Sequence, residues 1–300
     1  MDTELARTFL AVVTTGNFVS AAERLHVTQS TISTRIQTLE NVLGRRLFVR
    51  NKGGTTLTAA GRRFQKHAST LVRTVEQARH DVGVAQRFRA SVAIGARFGL
   101  WEQFLINLLP HLLQRSPDVA LRAEIGLEDE LMRGLIEGHL DIGIMYTPES
   151  RPGLKIEHLF DERLVLVSTK KNARSELGPD YVYVDWGPEF LGRHGASFPD
   201  FQGPALTASI GWLGLQHVLQ NGGAGYFPIR LVRPYLASRK LVKWIEAPEF
   251  SLSAHLVYPL DAEADVIGDI LTAIRNAAEV ERVGLGEASR AGHEGTGRRR

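Results

Sequence analysis

Hydrophobic residues between positions 3 and 43 recur at helical spacing and predict three short helices. The first covers Thr3 to Thr15 and is followed by a glycine, which suits a helix end. The second covers Ser20 to Leu25, and Thr28 can cap the third through its side-chain oxygen. Two short helices joined by a tight connection, with an Ala-Ala pair at their crossing, indicate a helix-turn-helix. The apolar stripe of the third helix consists of Ile32, Ile36, Leu39 and Leu43.

The other faces of the third helix carry short side chains that donate and accept hydrogen bonds. Such side chains read base edges in a DNA major groove, and the alternative is an ordinary helical pair with a solvated Ser/Thr-rich face. Because Ser and Thr are mediocre helix formers, their number on one exposed helix favours base contact. The predicted DNA-facing residues are Gln29 at the helix entrance, Ser30, Thr31, Ser33, Thr34, Arg35 and Gln37.

Two β-prone runs follow at 47–50 and 55–58, and the Asn-Lys-Gly-Gly between them can supply the positive φ that a hairpin needs. Beside a helix-turn-helix this hairpin is predicted to be a wing, with Arg50 and Lys52 near the phosphate backbone or a minor groove. The alternative is a solvated turn with incidental charges. Residues 1–63 hold nine Lys and Arg against four Asp and Glu, a net charge of +5, whereas the whole chain carries +3. A basic N-terminal region suits DNA binding, although five charges alone do not exclude chance.

A long helix is predicted from about 58 to 87, with a length of about 45 Å. Its apolar residues alternate spacings of four and three, which is a heptad seam that extends to Ala85. We interpret it as a dimerisation helix that brings two recognition helices to two half-sites, and the alternative is a helix packed on its own domain. The predicted dimerisation residues are Phe64, Ala68, Leu71, Val75, Ala78 and Val82.

From Ser91 onward strands and helices alternate, which is typical of a mostly parallel sheet. Asp161 and Glu162 are interpreted as a turn between two strands. The predicted strands are 91–96, 119–125, 141–145, 154–160, 163–168, 181–186, 206–209, 224–228, 241–245 and 252–258, and the predicted helices are 101–114, 128–137, 212–221, 231–237 and 264–280.

Motifs for catalysis or for a bound cofactor are missing from the sequence. It holds neither a phosphate loop, nor a nucleophile elbow, nor a helix with paired metal-binding histidines. There are no cysteines, which excludes disulfides and thiolate chemistry. We therefore expect no cofactor, no metal and no enzymatic activity.

About the first sixty residues resemble, in order and spacing and without a gap, the N-terminal signature of the LysR-type transcriptional regulators. The rest of the chain fits this family in length and element order. Trp186-Gly187-Pro188-Glu189-Phe190 and the opening MDTELARTFL resemble the branch that includes a repressor of the flagellar master operon, a match too short to name a target. The positions that carry the N-terminal resemblance are Phe18, Ala21-Ala22, Leu25, Thr28-Gln29-Ser30, Ser33, Ile36, Leu39-Glu40, Leu43-Gly44, Leu47-Phe48, Arg50, Leu57-Thr58 and Ala60-Gly61.

The resemblance implies an α/β protein with an all-α winged helix-turn-helix domain at 1–60 and a linker and dimerisation helix at 61–90. A two-lobed α/β effector domain similar to periplasmic binding proteins is implied at 91–283. Lobe I would comprise about 91–160 and 261–283, and lobe II about 161–260. The tail at 284–300, rich in Gly, Ser and charged residues, is expected to be disordered.

The function implied by the resemblance is sequence-specific transcriptional regulation in the bacterial cytoplasm. The chain would act as a homodimer or a homotetramer built as a dimer of dimers, bound to double-stranded DNA and controlled by a small-molecule effector between the lobes. RNA polymerase is a further candidate partner. A membrane is not expected, because no apolar run approaches the ~18 residues that a span needs.

Candidate effector residues follow the predicted strands, because ligands of α/β sheets bind at the carboxyl ends of strands. Arg97 could pair with a carboxylate through both guanidinium nitrogens. Many members of the family have Ser or Thr just after the first strand, whereas this chain has Arg97 and Phe98, so either the ligand differs or the pocket is small or vestigial. The predicted effector-binding residues are Arg97, Phe98, Gly99, Trp101, Met145, Thr147, Ser209 and Tyr226.

Three alternatives stay open at this point. For each candidate residue the simpler interpretation is core packing or a surface ion pair. For the whole chain the rivals are an effector-independent DNA-binding protein with a vestigial pocket, and a solute-binding protein or enzyme built on the two-lobed domain.

Overall fold

A computed structural model describes residues 2–51, 54–83, 87–170, 177–260, 262 and 265–294. The N-terminal domain contains three short helices, a hairpin and a long helix, as the sequence predicts. Their bounds are α1 (Thr3–Thr15), α2 (Phe18–Arg24), α3 (Gln29–Leu43), β1 (Phe48–Asn51), β2 (Gly54–Leu57) and α4 (Ala59–Gly83).

The second domain is a two-lobed α/β structure around one mixed sheet. Lobe I contains β3 (Ala90–Ala96), α5 (Phe98–Leu100), an irregular kinked turn (Trp101–Leu105), α6 (Ile106–Arg115), β4 (Val119–Ile125), α7 (Glu128–Glu137) and β5 (Ile142–Met145). Lobe II contains β7 (Tyr181–Val184), α8 (Pro188–Ser197), β8 (Leu206–Ala208), α9 (Gly211–Asn221), β9 (Ala224–Pro228), α10 (Ile229–Ala237) and β10 (Val242–Lys243). The strands β6 (Leu154–Ser168) and β11 (Phe250–Pro259) run through both lobes, and the last helix is α11 (Asp265–Glu294).

The sheet is parallel within each lobe and antiparallel where the lobes join. Its strand order is β4-β3-β5-β11-β6-β9-β7-β8, and β10 pairs with β6 beside this path. The pairs β3–β4, β3–β5, β7–β8 and β7–β9 are parallel, whereas β6 and β11 pair antiparallel with each other and with their neighbours. The expectation of a mostly parallel sheet therefore holds inside each lobe and fails at the crossing strands.

The predicted turn at Asp161 and Glu162 is wrong, because β6 continues through both residues. Their side chains alternate across the strand, as in any strand. Asp161 is exposed and accepts a hydrogen bond from Ser253 at 2.7 Å, whereas Glu162 is buried and bonded to Arg230. Two adjacent acidic residues were interpreted as a turn, but in the structure each acid has a separate partner on its own face of β6.

Other elements also differ from the predictions. The helix predicted at 101–114 is broken by Glu102 (ψ 122°) and Gln103 (φ +59°), and α8 was missed because its glycines and histidine weaken the helical pattern. The strand predicted at 241–245 is reduced to Val242–Lys243. Residues 284–294, expected to be disordered, continue α11 despite three glycines among them, because each residue added to a helix that is already nucleated gains a backbone hydrogen bond. Residues 295–300 lie outside the described residues.

Each domain buries its own apolar residues. In the N-terminal domain the ring of Phe9 contacts those of Phe48 and Phe64, with centroids 5.1 and 5.0 Å apart. In the second domain the core lies on both faces of the sheet. Among the described helices none is long and apolar enough by itself to cross a membrane, although α1 and α2, bent by 119°, pass that test as a pair by length and composition alone.

Candidate DNA-reading surface and interlobe cavity

Helix α3 packs one apolar face into the N-terminal domain and turns the opposite face to solvent. Ile32, Ile36 and Leu39 are buried in the core of that domain. Leu43, predicted as the fourth residue of the stripe, is exposed because the helix ends there and Gly44 turns the chain with φ +65°. The buried face fixes which side chains point outward.

The first turn of α3 is organised by hydroxyl groups. The Thr28 hydroxyl accepts from the backbone N–H of Thr31 at 3.2 Å and lies 2.8 Å from the hydroxyls of Ser30 and Thr31. This cap satisfies a helix N–H that would otherwise lack a partner. The predicted DNA-facing residues on the exposed side are Gln29, Ser30, Thr34 and Gln37, while Thr31 and Ser33 are half-buried.

Arg35 differs from the other predicted DNA-facing residues because its side chain turns back onto α1. Its Nη1 lies 3.3 Å from a carboxylate oxygen of Glu4 and 3.4 Å from the hydroxyl of Thr8. Both partners precede Arg35 by more than 25 residues, so no local pattern could reveal the contact. We therefore assign Arg35 to the attachment of α3 to α1.

Sequence reasoning missed part of the exposed surface. A groove of about 950 Å³ lies beside the C-terminal half of α3, and its lining includes Ser33, Gln37, Asn41, Arg45 and Arg46. Asn41 follows Gln37 by four residues and therefore shares its helix face, a signal that was available. Arg45 and Arg46 add exposed positive charge at the end of the helix.

The hairpin predicted as a wing is present. β1 and β2 pair antiparallel from Phe48 opposite Leu57 to Asn51 opposite Gly54. The side chain of Arg50 and the whole of Lys52 lie outside the described residues, so their predicted DNA contact stays a prediction.

The predicted dimerisation seam divides into two parts along α4. Phe64 and Ala68 are buried in the core of the N-terminal domain, and Leu71 packs against that core. These three residues serve their own domain, because α1 covers the first half of α4. Val75 is half-buried, and Ala78 and Val82 are exposed, Val82 to 89%. Ala85 lies outside the described residues.

A cavity of about 180 Å³ lies between the two lobes. Three of the predicted effector residues line it together: Arg97, Phe98 and Gly99. The residues that sequence reasoning missed are Ile125, Gly126, Leu127, Glu130, Tyr146, Trp186, Ile210 and Gly211.

The other predicted effector residues do not line this cavity. Met145 and Tyr226 are fully buried, and the Tyr226 hydroxyl donates to the carbonyl of Pro248 at 2.9 Å. The Trp101 indole N–H donates to the carbonyl of Glu124 at 2.7 Å. Thr147 and Ser209 are exposed away from the cavity. The strand ends indicated the correct region, but the large side chains among these candidates are packed in the core.

Trp186 forms a wall of the cavity. Its indole N–H donates to the carbonyl of Tyr226 at 3.0 Å, which fixes the ring. A Cβ at Gly211 would lie 2.3 Å from this ring, so the start of α9 requires a glycine there. The sequence signal was the motif that begins at Trp186, which we used only for the branch resemblance.

Arg97 is already paired inside the protein. Its Nη1 lies 3.0 Å from a carboxylate oxygen of Glu128, and the two side chains are 13% and 23% exposed. Glu130, in the same first turn of α7, accepts from the backbone N–H of Leu127 at 3.0 Å. The charges at the cavity are thus engaged by neighbours within lobe I.

Comparisons with known proteins follow the same division of the chain. Residues 3–62 match the family model for the bacterial regulatory helix-turn-helix protein, lysR family, and residues 85–275 match the LysR substrate binding domain. The chain belongs to the LysR family. It is a LysR-type DNA-binding transcriptional regulator with a substrate-binding domain, which confirms the predicted family, fold class and general function.

Named relatives of this LysR-type regulator are transcriptional regulators as well. The HTH-type transcriptional regulators HdfR of Yersinia pestis (strain Pestoides F) and of Yersinia pseudotuberculosis serotype O:1b are each 32% identical over 246 residues, 78% of this chain and 84% of theirs. ArgP from Mycobacterium tuberculosis shares the fold with a TM-score of 0.57 at 22% identity, over 93% of this chain and 97% of that one. LysG from Corynebacterium glutamicum with bound effector Arg has a TM-score of 0.57 at 16% identity, over 93% and 98% of the two chains.

Behind the cavity of this LysR-type regulator a buried arginine joins the lobes. Arg230 of α10 is hydrogen-bonded to the Glu162 carboxylate and to the carbonyls of Gly99, at 2.9 Å, and Glu102. The side chains of Arg230 and Glu162 are only 5% and 1% exposed. The Tyr146 hydroxyl lies 3.4 Å from the same carboxylate, and burial together with this negative charge raises the pKa of Tyr146 well above its usual value. Buried polar bonds of Arg230 therefore join the two lobes.

Helix α7 spans the distance from the cavity to the N-terminal domain. Residues at its start line or support the cavity, as described above, and Ile136 near its end packs against the core of the N-terminal domain. Glu137 pairs with Arg24 of α2 at 2.5 Å. Gly138 turns the chain with φ +79°, and a Cβ there would lie 2.4 Å from the Cα of Arg73 in α4.

A second set of charges lies in the same contact between the domains. Glu76 of α4 is bonded to Arg7 of α1, and its other carboxylate oxygen lies 3.7 Å from Nδ1 of His139. The bond between Arg7 and Glu76 lies within the DNA-binding domain, whereas the contact of His139 with Glu76 and the pair of Arg24 and Glu137 attach lobe I to that domain. The contact between the domains thereby neutralises Arg24, while Arg7 is neutralised within its own domain.

Proposed function

We propose that the exposed face of α3 enters a DNA major groove, with the wing on the adjacent backbone. The observation that carries this proposal is the outward face of α3, where uncharged hydrogen-bonding side chains surround Thr34 and Gln37. In the part of the chain that the structure describes, the Gln37 amide has no protein partner, so its donors and acceptor are available to base edges. The exposed Arg45 and Arg46 add phosphate affinity at the end of the helix.

A mobility-shift titration against the intergenic DNA upstream of the gene tests this proposal. Thr34→Ala and Gln37→Ala should each weaken specific binding by ~5- to 150-fold, because a base contact contributes about 1–3 kcal/mol. Gln114→Ala, on the exposed end of α6, is the matched control and should bind as the wild type does. Arg35→Ala should act mainly through stability, since Arg35 is bonded to α1. DNA affinity that is unchanged by both substitutions and does not depend on the DNA sequence would overturn the proposal.

The protein is proposed to act as a homodimer or a dimer of dimers, with RNA polymerase as a further candidate partner. The support is the exposed end of the α4 seam at Ala78 and Val82, since a second copy would cover the same residues by symmetry. Val82→Glu should lower the mass measured by light scattering to that of the monomer. Ile245→Glu is the control, because Ile245 is 85% exposed against 89% for Val82 but lies in lobe II. An unchanged mass for Val82→Glu would place the dimer contact elsewhere.

A small molecule in the interlobe cavity is proposed to control DNA binding by population shift, which requires it to prefer one placement of the DNA-binding domain. The support is helix α7, which is ten residues and about 15 Å long and contacts the cavity at one end and the DNA-binding domain at the other. LysG, which shares this fold, holds a bound effector. A shift of α7 at the cavity would therefore change the contacts of Glu137 and Gly138 with the DNA-binding domain.

Gly138→Ala tests this path without a ligand. The added methyl group collides with the backbone of Arg73, so the domain contact should open and amide hydrogen exchange in α4 should accelerate. Arg24, freed from Glu137, should raise operator affinity by about threefold, in line with the ~0.2–1 kcal/mol of a surface ion pair. Gly153→Ala is the control, because Gly153 also has a positive φ, +90°, but a Cβ there meets nothing within 4 Å. Faster exchange with unchanged affinity would exclude α7 as the path.

A further inference from the structure

The charge of the interlobe cavity restricts what it can bind. Among the described residues that line the cavity, Arg97 is the only cation and Glu130 is the only anion. Glu128 does not line the cavity but occupies the guanidinium of Arg97 at 3.0 Å. The three side chains together carry a charge of −1, so the site is not an anion site.

A carboxylate ligand would therefore meet two obstacles. It would have to displace Glu128 from Arg97, and it would then lie close to the displaced carboxylate and to Glu130. Two like charges about 4 Å apart near a protein surface repel strongly enough to weaken binding by on the order of a hundredfold or more. The first turn of α7, where anions bind in many proteins, already holds Glu128, Asp129 and Glu130.

The walls of the cavity are apolar and partly aromatic. Phe98, Ile125, Leu127, Trp186 and Ile210 supply most of its surface, and the glycines between them leave room for a flat molecule. Its volume of about 180 Å³ is close to that of an apolar cavity of about 150 Å³ that binds benzene in another protein. A single ring, or two small fused rings, fits this space.

We propose that the cavity binds a neutral, ring-sized aromatic molecule of the phenol or indole class and rejects aromatic carboxylates. This inference rests on the proposed role of the cavity as the effector site and names its ligand class. Glu128 acts as the specificity-determining residue, because it holds the one guanidinium that a carboxylate would need. The indole N–H of Trp186 is bonded to a backbone carbonyl, which leaves ring faces as the main contact for a ligand.

Calorimetric titration of the full chain with phenol, indole and benzoate at pH 7 tests the inference. We expect phenol or indole to bind at least about tenfold more tightly than benzoate, given the repulsion argued above. Leu127→Trp, which fills the cavity from its rim, should abolish binding of the neutral rings. Equal affinity for phenol and benzoate in the wild type would overturn the inference, and so would absence of binding by every probe.

Glu128→Gln provides the sharper test. Freed from its partner, Arg97 can bind a carboxylate through two parallel hydrogen bonds, so benzoate affinity should rise by about tenfold or more while phenol affinity changes little. Arg97→Met, which removes the cation, should retain phenol and gain nothing for benzoate. Glu149→Gln is the control, since Glu149 is exposed and pairs with Arg151 outside the cavity. An unchanged preference in Glu128→Gln would overturn the role of Glu128.

The two proposals fail differently. If phenol or indole binds and Leu127→Trp removes that binding, the ligand class stands even where operator affinity in mobility shifts does not respond to the ligand. Such a result would reject only the control of DNA binding by the cavity. If operator binding is intact and no ring binds, the DNA-reading function stands and the ligand class is rejected.

Discussion

The DNA-reading face of α3 and the interlobe cavity differ in whether their polar groups already have partners inside the protein. On α3 the groups around Gln37 are uncharged and point to solvent, with partners still to be found. At the cavity Arg97 is paired with Glu128, and behind it Arg230 is paired with Glu162, so these charges have partners inside the protein. Open donors and acceptors select a polar partner, whereas internally paired charges leave only apolar surface to a ligand.

The substitution with the largest expected effect on this contrast is the replacement of Arg230. Arg230→Met leaves the buried Glu162 carboxylate without its cation and should lower the free energy of unfolding by about 3–5 kcal/mol. Urea denaturation followed by tryptophan fluorescence reports on the effector domain alone, because all four tryptophans lie between positions 101 and 244. Adding Glu162→Gln should recover a large part of the loss.

Arg151→Met is the matched control for Arg230→Met. Arg151 pairs with Glu149 at the surface, where an ion pair contributes about 0–1 kcal/mol. If both arginine substitutions cost the same, the bond between the lobes does not stabilise the domain and the contrast fails.

Acid should weaken the effector domain through Glu157, which joins β6 to α11. Burial raises the pKa of this carboxyl, but hydrogen bonds from Arg275, Tyr258 and Lys155 outweigh it and lower the pKa to about 2. A lowered pKa in the folded state stabilises the fold above the unfolded-state value near 4.5, and this contribution is lost as pH falls from there towards 2.

Glu157→Gln should therefore lower the free energy of unfolding by about 2–3 kcal/mol at pH 7 and by much less near pH 2. Urea midpoints measured across this pH range check the difference. Glu189→Gln is the control, because Glu189 is 69% exposed and lies 3.7 Å from Arg193. A deficit of equal size at both ends of the pH range would contradict the assignment.

The smallest expected effect concerns the DNA-reading side. Thr28→Ala removes the cap of α3 and should cost about 1 kcal/mol, measured by thermal unfolding with circular dichroism. Thr70→Ala, on the exposed face of α4, should be neutral or slightly stabilising, because Ala is the better helix former within a helix. A larger loss for Thr70→Ala than for Thr28→Ala would reject the cap.

The N-terminal domain was predictable because its signals are local. Periodic apolar residues located α1 to α4, and Gly53-Gly54 indicated the hairpin. The cavity was less predictable, since Arg97, Tyr146 and Trp186 come from three separate segments that only the folded sheet brings together. Which residues are already engaged depends on contacts such as Arg35 with Glu4 and Arg97 with Glu128, which no spacing in the sequence expresses.

The bond between Arg230 and the first lobe has a consequence for ligand efficiency. A single-ring molecule has about seven to nine heavy atoms, and even very small ligands gain at most about 1.5 kcal/mol for each. For a molecule of that size, the loss of its own translational and rotational freedom offsets most of the binding free energy. Too little would remain to close two separated lobes as well. Here the bonds of Arg230 already join the lobes, so a compound too small to act as a clamp can still bind with useful affinity.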